Sequence, residues 1–303
     1  MIVFANIFVN NVLPVFLVMS AGLILDRVLH VDKRSLARVA LYVLTPALIF
    51  SRIVQSPVDP AEFGRMLVFV IVITLAMCAL GLLVGRLLRW STRESDALVL
   101  SVAFLNAGNF GLSVVLFTLG EVGLQLATVF FVGCNFTSNT LSAFFAARGN
   151  HGARSALRKT LCLPGLWAFL VAMSVRLIQI AVPPTLLNPL ITLGNAYIPL
   201  MLMLLGLQLS QTRIGKRYGK VAVGVGLRLL IGAVVALGLA PLMGLQGLAY
   251  QVGVLQASMP TAVNSSLMAV EFGADEDYVA SCIFFSTLLS SITLTLLIGF
   301  LQV

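Results

Sequence analysis

Ten apolar runs, each about as long as a helix that crosses a bilayer, divide this chain almost end to end. They lie at about 2–25, 36–55, 65–88, 96–118, 122–147, 161–182, 186–209, 219–241, 247–270 and 278–301. A crossing helix needs about 20 apolar residues. Charged residues make up 10% of the sequence, against roughly 25% in soluble domains, which is too few to cover a water-facing surface. The alternating ten-residue pattern of a membrane barrel is absent. The expectation is an all-α integral membrane protein with ten transmembrane helices. The first run has no Lys or Arg before Arg27 and no small-x-small cleavage site behind it. It therefore reads as a retained helix, kinked at Pro14, and not as a signal peptide.

Basic residues orient the spans. With an external N-terminus, fifteen of the 19 Lys and Arg fall in inner loops, clustered around Lys33, Arg89, Lys159 and Arg217. Only Arg52 and Arg65 fall outside, and Arg176 and Arg228 lie within spans. That asymmetry follows the positive-inside rule and sets both termini on the outer side. The net charge of +8 is thus explained by topology and anionic headgroups, with no nucleic-acid partner required. Cys78, Cys134, Cys162 and Cys282 all fall inside spans without metal-ligand spacing, and read as small apolar residues.

Sliding the sequence by 153 residues aligns Pro46 with Pro199, Gly120 with Gly273, Ala127 with Ala280 and Phe131 with Phe284. Ser138, Thr140 and Leu141 fall on Ser291, Thr293 and Leu294. One ungapped offset across three pairs of spans indicates duplication. Five spans per half is an odd number, so the second half must enter the membrane inverted, which is the plan of secondary transporters. The halves are 1–147 and 161–303, joined by a basic inner linker at 148–160.

The offset lays FLNAGNFGLSVVLFTLG (104–120) over ASMPTAVNSSLMAVEFG (257–273). Both are fourth spans of their halves, and both have polar, helix-poor centres. Pro260 removes a backbone donor and kinks a helix; Gly108 and Gly111 each weaken one by about 1 kcal/mol. Freed backbone groups survive at membrane depth only where protein or a watery cavity satisfies them. Paired interruptions of this kind point to a midplane site where half-helix N-termini face an anion. The candidate substrate-binding residues are Asn106, Gly108, Asn109, Gly111, Ser113, Pro260, Thr261, Asn264 and Ser265. Any one of these residues could equally serve close helix packing.

FLNAGNFGLS resembles the fourth-span motif of the auxin efflux carrier family, with Asn106, Gly108, Gly111 and Leu112 matching. Ser113 stands where that family usually has proline, so Gly108 and Gly111 must open the first break without it. MPTAVNSSLMAVEFG (259–273) resembles the ninth-span motif, and LYVLTPALIFSRI (41–53) the second-span motif. The resemblance implies an alternating-access carrier whose fourth and ninth spans are broken and cross. It further implies a scaffold of spans 1, 2, 6 and 7, forming a homodimer, around a moving core of spans 3, 4, 5, 8, 9 and 10. Substrates in the family are organic anions such as auxin, malonate or malate, with a proton or sodium as the candidate coupling ion. The short central loop is similar to that of bacterial members, which implies the inner membrane.

No Asp or Glu falls at the middle of a span, which argues against a proton/sodium antiporter built on a midplane carboxylate pair. Arg176 and Arg228 could snorkel to an interface; alternatively Arg228 adds positive potential to an anion path. Glu271 is either a solvated end charge or a gate that pairs in one conformation. No catalytic motif, metal set or cofactor signature is present, and an enzyme is not expected. The competing expectations are a sodium-coupled symporter of bile-acid-transporter type, a channel, or a ligand-binding membrane protein.

Overall fold

The computed structural model describes residues 2–29, 31–148, 163–212, 215 and 217–302. The linker expected at 148–160 lies outside them except for its first residue, as do Cys162, Arg213 and Lys216. The described residues are helical, with no strand beyond one isolated bridge. Seven of the helices are long and apolar enough to cross a membrane, so the protein is a multi-pass membrane protein.

In chain order the helices are α1 (Val3–Leu29), α2 (Lys33–Val54), α3 (Pro60–Leu87) and α4 (Thr92–Ala103). A π-helical turn, Ala107–Gly111, then leads into Leu112–Arg148. Within that segment Gly120 has φ 65° and ψ −161°, a conformation that residues with a Cβ avoid. It separates α5 (residues 107–119) from α6 (residues 121–148). After these come α7 (Pro164–Leu177), α8 (Pro184–Ser210), α9 (Tyr218–Leu242), α10 (Gly247–Ala257), α11 (Asn264–Phe272) and α12 (Glu276–Phe300).

Local chemistry sets several helix starts. The Asp32 carboxylate caps α2 by accepting from the N–H groups of Arg34 and Ser35 at 3.1 and 3.2 Å. Ser91 and Glu94 form a reciprocal capping box on α4, satisfying two of the donors that a helix start leaves bare. Asp59 caps α3 ahead of Pro60, and Asp275 caps α12. Distortions near prolines also have local form. π-Helical turns, Phe8–Val12 and Ala40–Leu44, precede Pro14 and Pro46, where proline removes a helix donor. Ahead of Pro199, α8 is interrupted at Ala196.

Two helix pairs approach backbone to backbone. A Cβ on Gly22 of α1 would stand 2.0 Å from the Met203 carbonyl oxygen of α8, and one on Gly206 would stand 1.9 Å from that of Met19. Glycine alone permits this contact, and close approach is what replaces the hydrophobic drive between helices in lipid. α2 packs on α7 and α8, with Gly165 against Ile49 and Gly194 against Leu48. The buried core includes Phe63, Phe69, Phe110, Phe130 and Leu255. Leu17, Ile24, Leu75, Leu83, Val234 and Ile292 are exposed instead, an apolar surface that suits acyl chains and not water.

Candidate substrate site at the paired helix breaks

α4 ends at Ala103, where the chain turns extended at Phe104 (φ −95°, ψ 120°), and helix resumes at Ala107. α10 ends at Ala257, and helix resumes at Asn264. The two interruptions lie against each other. Leu105 and Thr261 form an antiparallel bridge, in which the Asn106 N–H donates to the Pro260 carbonyl at 2.8 Å and the Ala262 N–H to that of Phe104 at 2.9 Å.

Breaking a helix strands its last carbonyls, and inside a membrane each must find a donor. At the end of α4 they do. Ser265 Oγ donates to the Leu100 carbonyl at 2.9 Å, Thr261 Oγ1 to that of Ser101 at 2.8 Å, and Arg228 Nη1 to that of Val102 at 2.7 Å. Arg228 Nη2 bonds the Ala257 carbonyl, the last of α10. The Thr261 N–H donates to Ser286 Oγ on α12 at 3.1 Å. Three of the last four carbonyls of α4, and the last one of α10, are thereby paired within the protein.

Arg228 is fully buried in a π-helical turn of α9, Leu227–Ile231. Snorkelling does not describe it. Its guanidinium bridges the C-terminal ends of α4 and α10, where the helix dipole is negative. Arg176 behaves differently: it bonds the Val58 carbonyl in the α2–α3 connection and lies 4.8 Å from the Phe63 ring centroid.

The remaining expected residues divide between the buried crossover and a cavity. Asn106 is buried, and its Nδ2 has no partner among the described residues. Ser113 and Pro260 are buried, and Ser113 Oγ reaches the carbonyl of half-buried Asn109 at 3.4 Å. Gly108 lies against the Phe131 ring, 2.5 Å from where its Cβ would be. A Cβ on Gly111 would stand 2.2 Å from Oε1 of Gln256. Glu271 is exposed near the end of α11.

Asn264 is exposed and opens α11. It lines a cavity of about 180 Å3 together with Thr45 and Ile49 of α2, Asn135, Phe136 and Asn139 of α6, and Leu166 of α7. Three carboxamides thus face one small space. Asn135 and Asn139 are one helical turn apart and share a face, with Asn139 Nδ2 donating to the Asn135 carbonyl at 2.7 Å. Neither belonged to the expected set, and neither did Gln256, which is fully buried with both amide atoms unpaired. The signal for Asn135 and Asn139 was the polar run CNFTSN (134–139) within an apolar span. No group of His, Cys, Asp and Glu suited to a metal occurs among the described residues.

A second cavity, of about 400 Å3, is more polar. Lys33, Gln208 and Gln211 line one side, and Ser266, Glu276 and Asp277 the other. Ion pairs tie the ends of neighbouring helices. Arg217 bonds Glu94 at 3.0 Å and Asp275 at 2.9 Å, and Lys220 bonds Glu94 at 2.6 Å. Arg52 of α2 pairs with Glu121 and donates to Asn195 at 2.9 Å.

Comparison with known proteins agrees with this architecture. A family model described as membrane transport protein matches residues 7–298. An uncharacterized transporter of Methanothermobacter thermautotrophicus is 30% identical, over 95% of this chain and 96% of that protein. A Rhizobium meliloti protein named "Putative malonate transporter" is 24% identical over 84% of this chain and 82% of its own. Helices suited to a bilayer, two helix breaks bonded to each other and a family match over nearly the whole length lead to one statement. The chain belongs to the membrane transport protein family, of auxin-efflux-carrier type.

Proposed function

We propose that the protein is a secondary transporter that moves a small organic anion by alternating access around the paired breaks. In this reading α4 with α5, and α10 with α11, are each a single interrupted pass. The chain then crosses ten times, and its second half repeats the first upside down. The 153-residue offset supports this reading: it carries the start of one break onto the other, and Gly120 onto Gly273, both with positive φ (65° and 68°). The ion pairs fit the same topology. Arg217, Lys220, Glu94 and Asp275 are all assigned inside by the distribution of basic residues, whereas Arg52 and Glu121 are assigned outside. Scaffold helices α1, α2, α7 and α8, joined as a homodimer, would hold still while the rest moves.

The observation that carries the function is the cavity at Asn264. α11, nine residues long, begins there, so its positive dipole end lies at a cavity whose other polar side chains are Thr45, Asn135 and Asn139, set among apolar ones such as Leu41, Ile49 and Val132. Amide donors bind a carboxylate without burying a second charge. Ligand pockets for drug-sized molecules run about 300–1,000 Å3, so a space of about 180 Å3 suits an acid of a few carbons. The name of the Rhizobium relative makes malonate the first candidate. The 400 Å3 cavity lies at the inner end, and Arg52 ties α2 to Glu121 at the outer end; we read this as an inward-facing state.

A thermal-shift screen of the purified protein against mono- and dicarboxylates tests the reading. A short dicarboxylate should raise the Tm of the wild type and leave Asn264→Ala unmoved. If no carboxylate shifts the wild type, or if Asn264→Ala responds equally, the cavity is not the binding site.

A further inference from the structure

Arg228 carries a full positive charge and is completely buried, yet it pairs with no carboxylate among the described residues. Its partners are main-chain carbonyls: Val102 in the last turn of α4, at 2.7 Å, and Ala257 at the end of α10. Nε has no partner. The slot is shaped for the group. Gly232, one turn along α9, leaves room where a Cβ would stand 2.9 Å from Nη2, and the Met77 methyl closes the far side at 3.3 Å from the same point. A π-helical turn sets Arg228 in register with both helix ends.

Carbonyls at the C-terminal ends of interrupted half-helices are the groups with which broken-helix transporters coordinate a sodium ion. Here two such ends converge on a guanidinium. We propose that Arg228 is a tethered cation: it occupies permanently the place that a coupling sodium would take at the crossover. The site therefore neither binds nor needs a free monovalent cation. The consequence for transport rests on the carrier reading above, whereas the occupancy of the site does not. A cation that cannot leave cannot couple its own gradient to substrate movement, so uptake should run equally in sodium and in choline.

The experiment follows thermal stability of purified wild type, Arg228→Lys and Arg228→Met, each in choline chloride, sodium chloride and choline chloride with millimolar methylguanidinium. Wild type and Arg228→Lys should show the same Tm in all three. Arg228→Met opens a neutral slot between the two carbonyls and should be stabilised selectively by methylguanidinium or sodium. A cation that binds only the folded state, at 100 times its Kd, raises the folded-to-unfolded ratio about 100-fold. Should Arg228→Met fail to fold in choline and yet be recovered in methylguanidinium, the proposal stands on the recovery. If it folds in no salt, wild type and Arg228→Lys decide: sodium must leave both Tm values unmoved, and a sodium-dependent rise in either overturns the proposal. The proposal is also overturned if Arg228→Met is as stable as wild type in choline, or folds and ignores every cation. Failure of the carrier reading looks different: no carboxylate is bound or moved by any of the three proteins, while the cation responses persist.

Discussion

Thr261→Val isolates what holds the crossover together. The hydroxyl is fully buried and donates to the Ser101 carbonyl at 2.8 Å, while its own N–H is held by Ser286. Valine has nearly the same shape, so no cavity opens and the main change is one stranded carbonyl at the end of α4. An unsatisfied buried acceptor costs about 1–3 kcal/mol in soluble proteins. Side-chain hydrogen bonds within membranes average about 0.6 and reach about 1.7 kcal/mol. Because no water reaches this carbonyl, the upper part of the membrane range applies. The expected loss is about 1–2 kcal/mol, roughly a 5- to 30-fold change in the folded-to-unfolded ratio. Ser265→Ala, which strands the adjacent Leu100 carbonyl, should lose a similar amount, and the double variant should depart from additivity because the sites are neighbours. Reversible unfolding in mixed micelles, followed by the fluorescence of Trp90 and Trp167, measures it. Asn264→Ala is the control: its exposed side chain lines the cavity, and its stability should lie within about 0.5 kcal/mol of wild type. A Thr261→Val protein as stable as wild type would refute the assignment of these hydroxyls to the broken helix end.

Gly111→Ala should destabilise the protein, since its Cβ would meet Gln256 Oε1 at 2.2 Å; adding Gln256→Ala should recover part of the loss in the same unfolding assay. Gly206→Ala should be among the worst single substitutions, because its Cβ would lie 1.9 Å from the Met19 carbonyl oxygen and would force α1 from α8; loss of monodisperse protein on size exclusion is the readout. Arg52→Ala removes the tie to Glu121 and Asn195 and should raise labelling, from the outer side, of a cysteine placed at Asn264. At the start of α2, the Ser35 hydroxyl and the Arg34 N–H hold the Asp32 carboxyl below its usual range. A depressed carboxyl stabilises the fold above its unfolded value and loses that contribution as pH falls through the folded one. The stability gap between wild type and Asp32→Ala should therefore be full at pH 7 and close in acid.

The interruptions were legible because their causes are local. Pro260 falls inside the second interruption, whereas Gly108 and Gly111 fall just after the first, in the π-helical turn through which helix resumes, and the 153-residue offset pairs Gly120 with Gly273. Ser113, standing where the related motif has proline, does not prevent the first break: the chain leaves helix earlier, at Phe104, and re-enters through a π-helical turn. What sequence could not assign was the direction in which polar groups face. Thr261 and Ser265 stood among the substrate-binding candidates, but in the structure their hydroxyls donate to the end of α4. Arg228 was ambiguous because eight residues into a span is within reach of an interface; only the convergence of α4 and α10 makes an inward slot preferable. Gln256 went unremarked as a single amide within an apolar helix, and Asn135 and Asn139 because their polar run has no counterpart among the paired interruptions. Their partners, or the lack of them, depend on helices distant in sequence.

Counterflow of labelled malonate into proteoliposomes tests most directly whether this molecule carries an anion through the crossover. Entry should saturate with concentration, accelerate when unlabelled malonate is loaded inside, and vanish in Asn264→Ala liposomes containing folded protein. Flux that climbs linearly without trans-acceleration, or that survives unchanged in Asn264→Ala, would contradict the account.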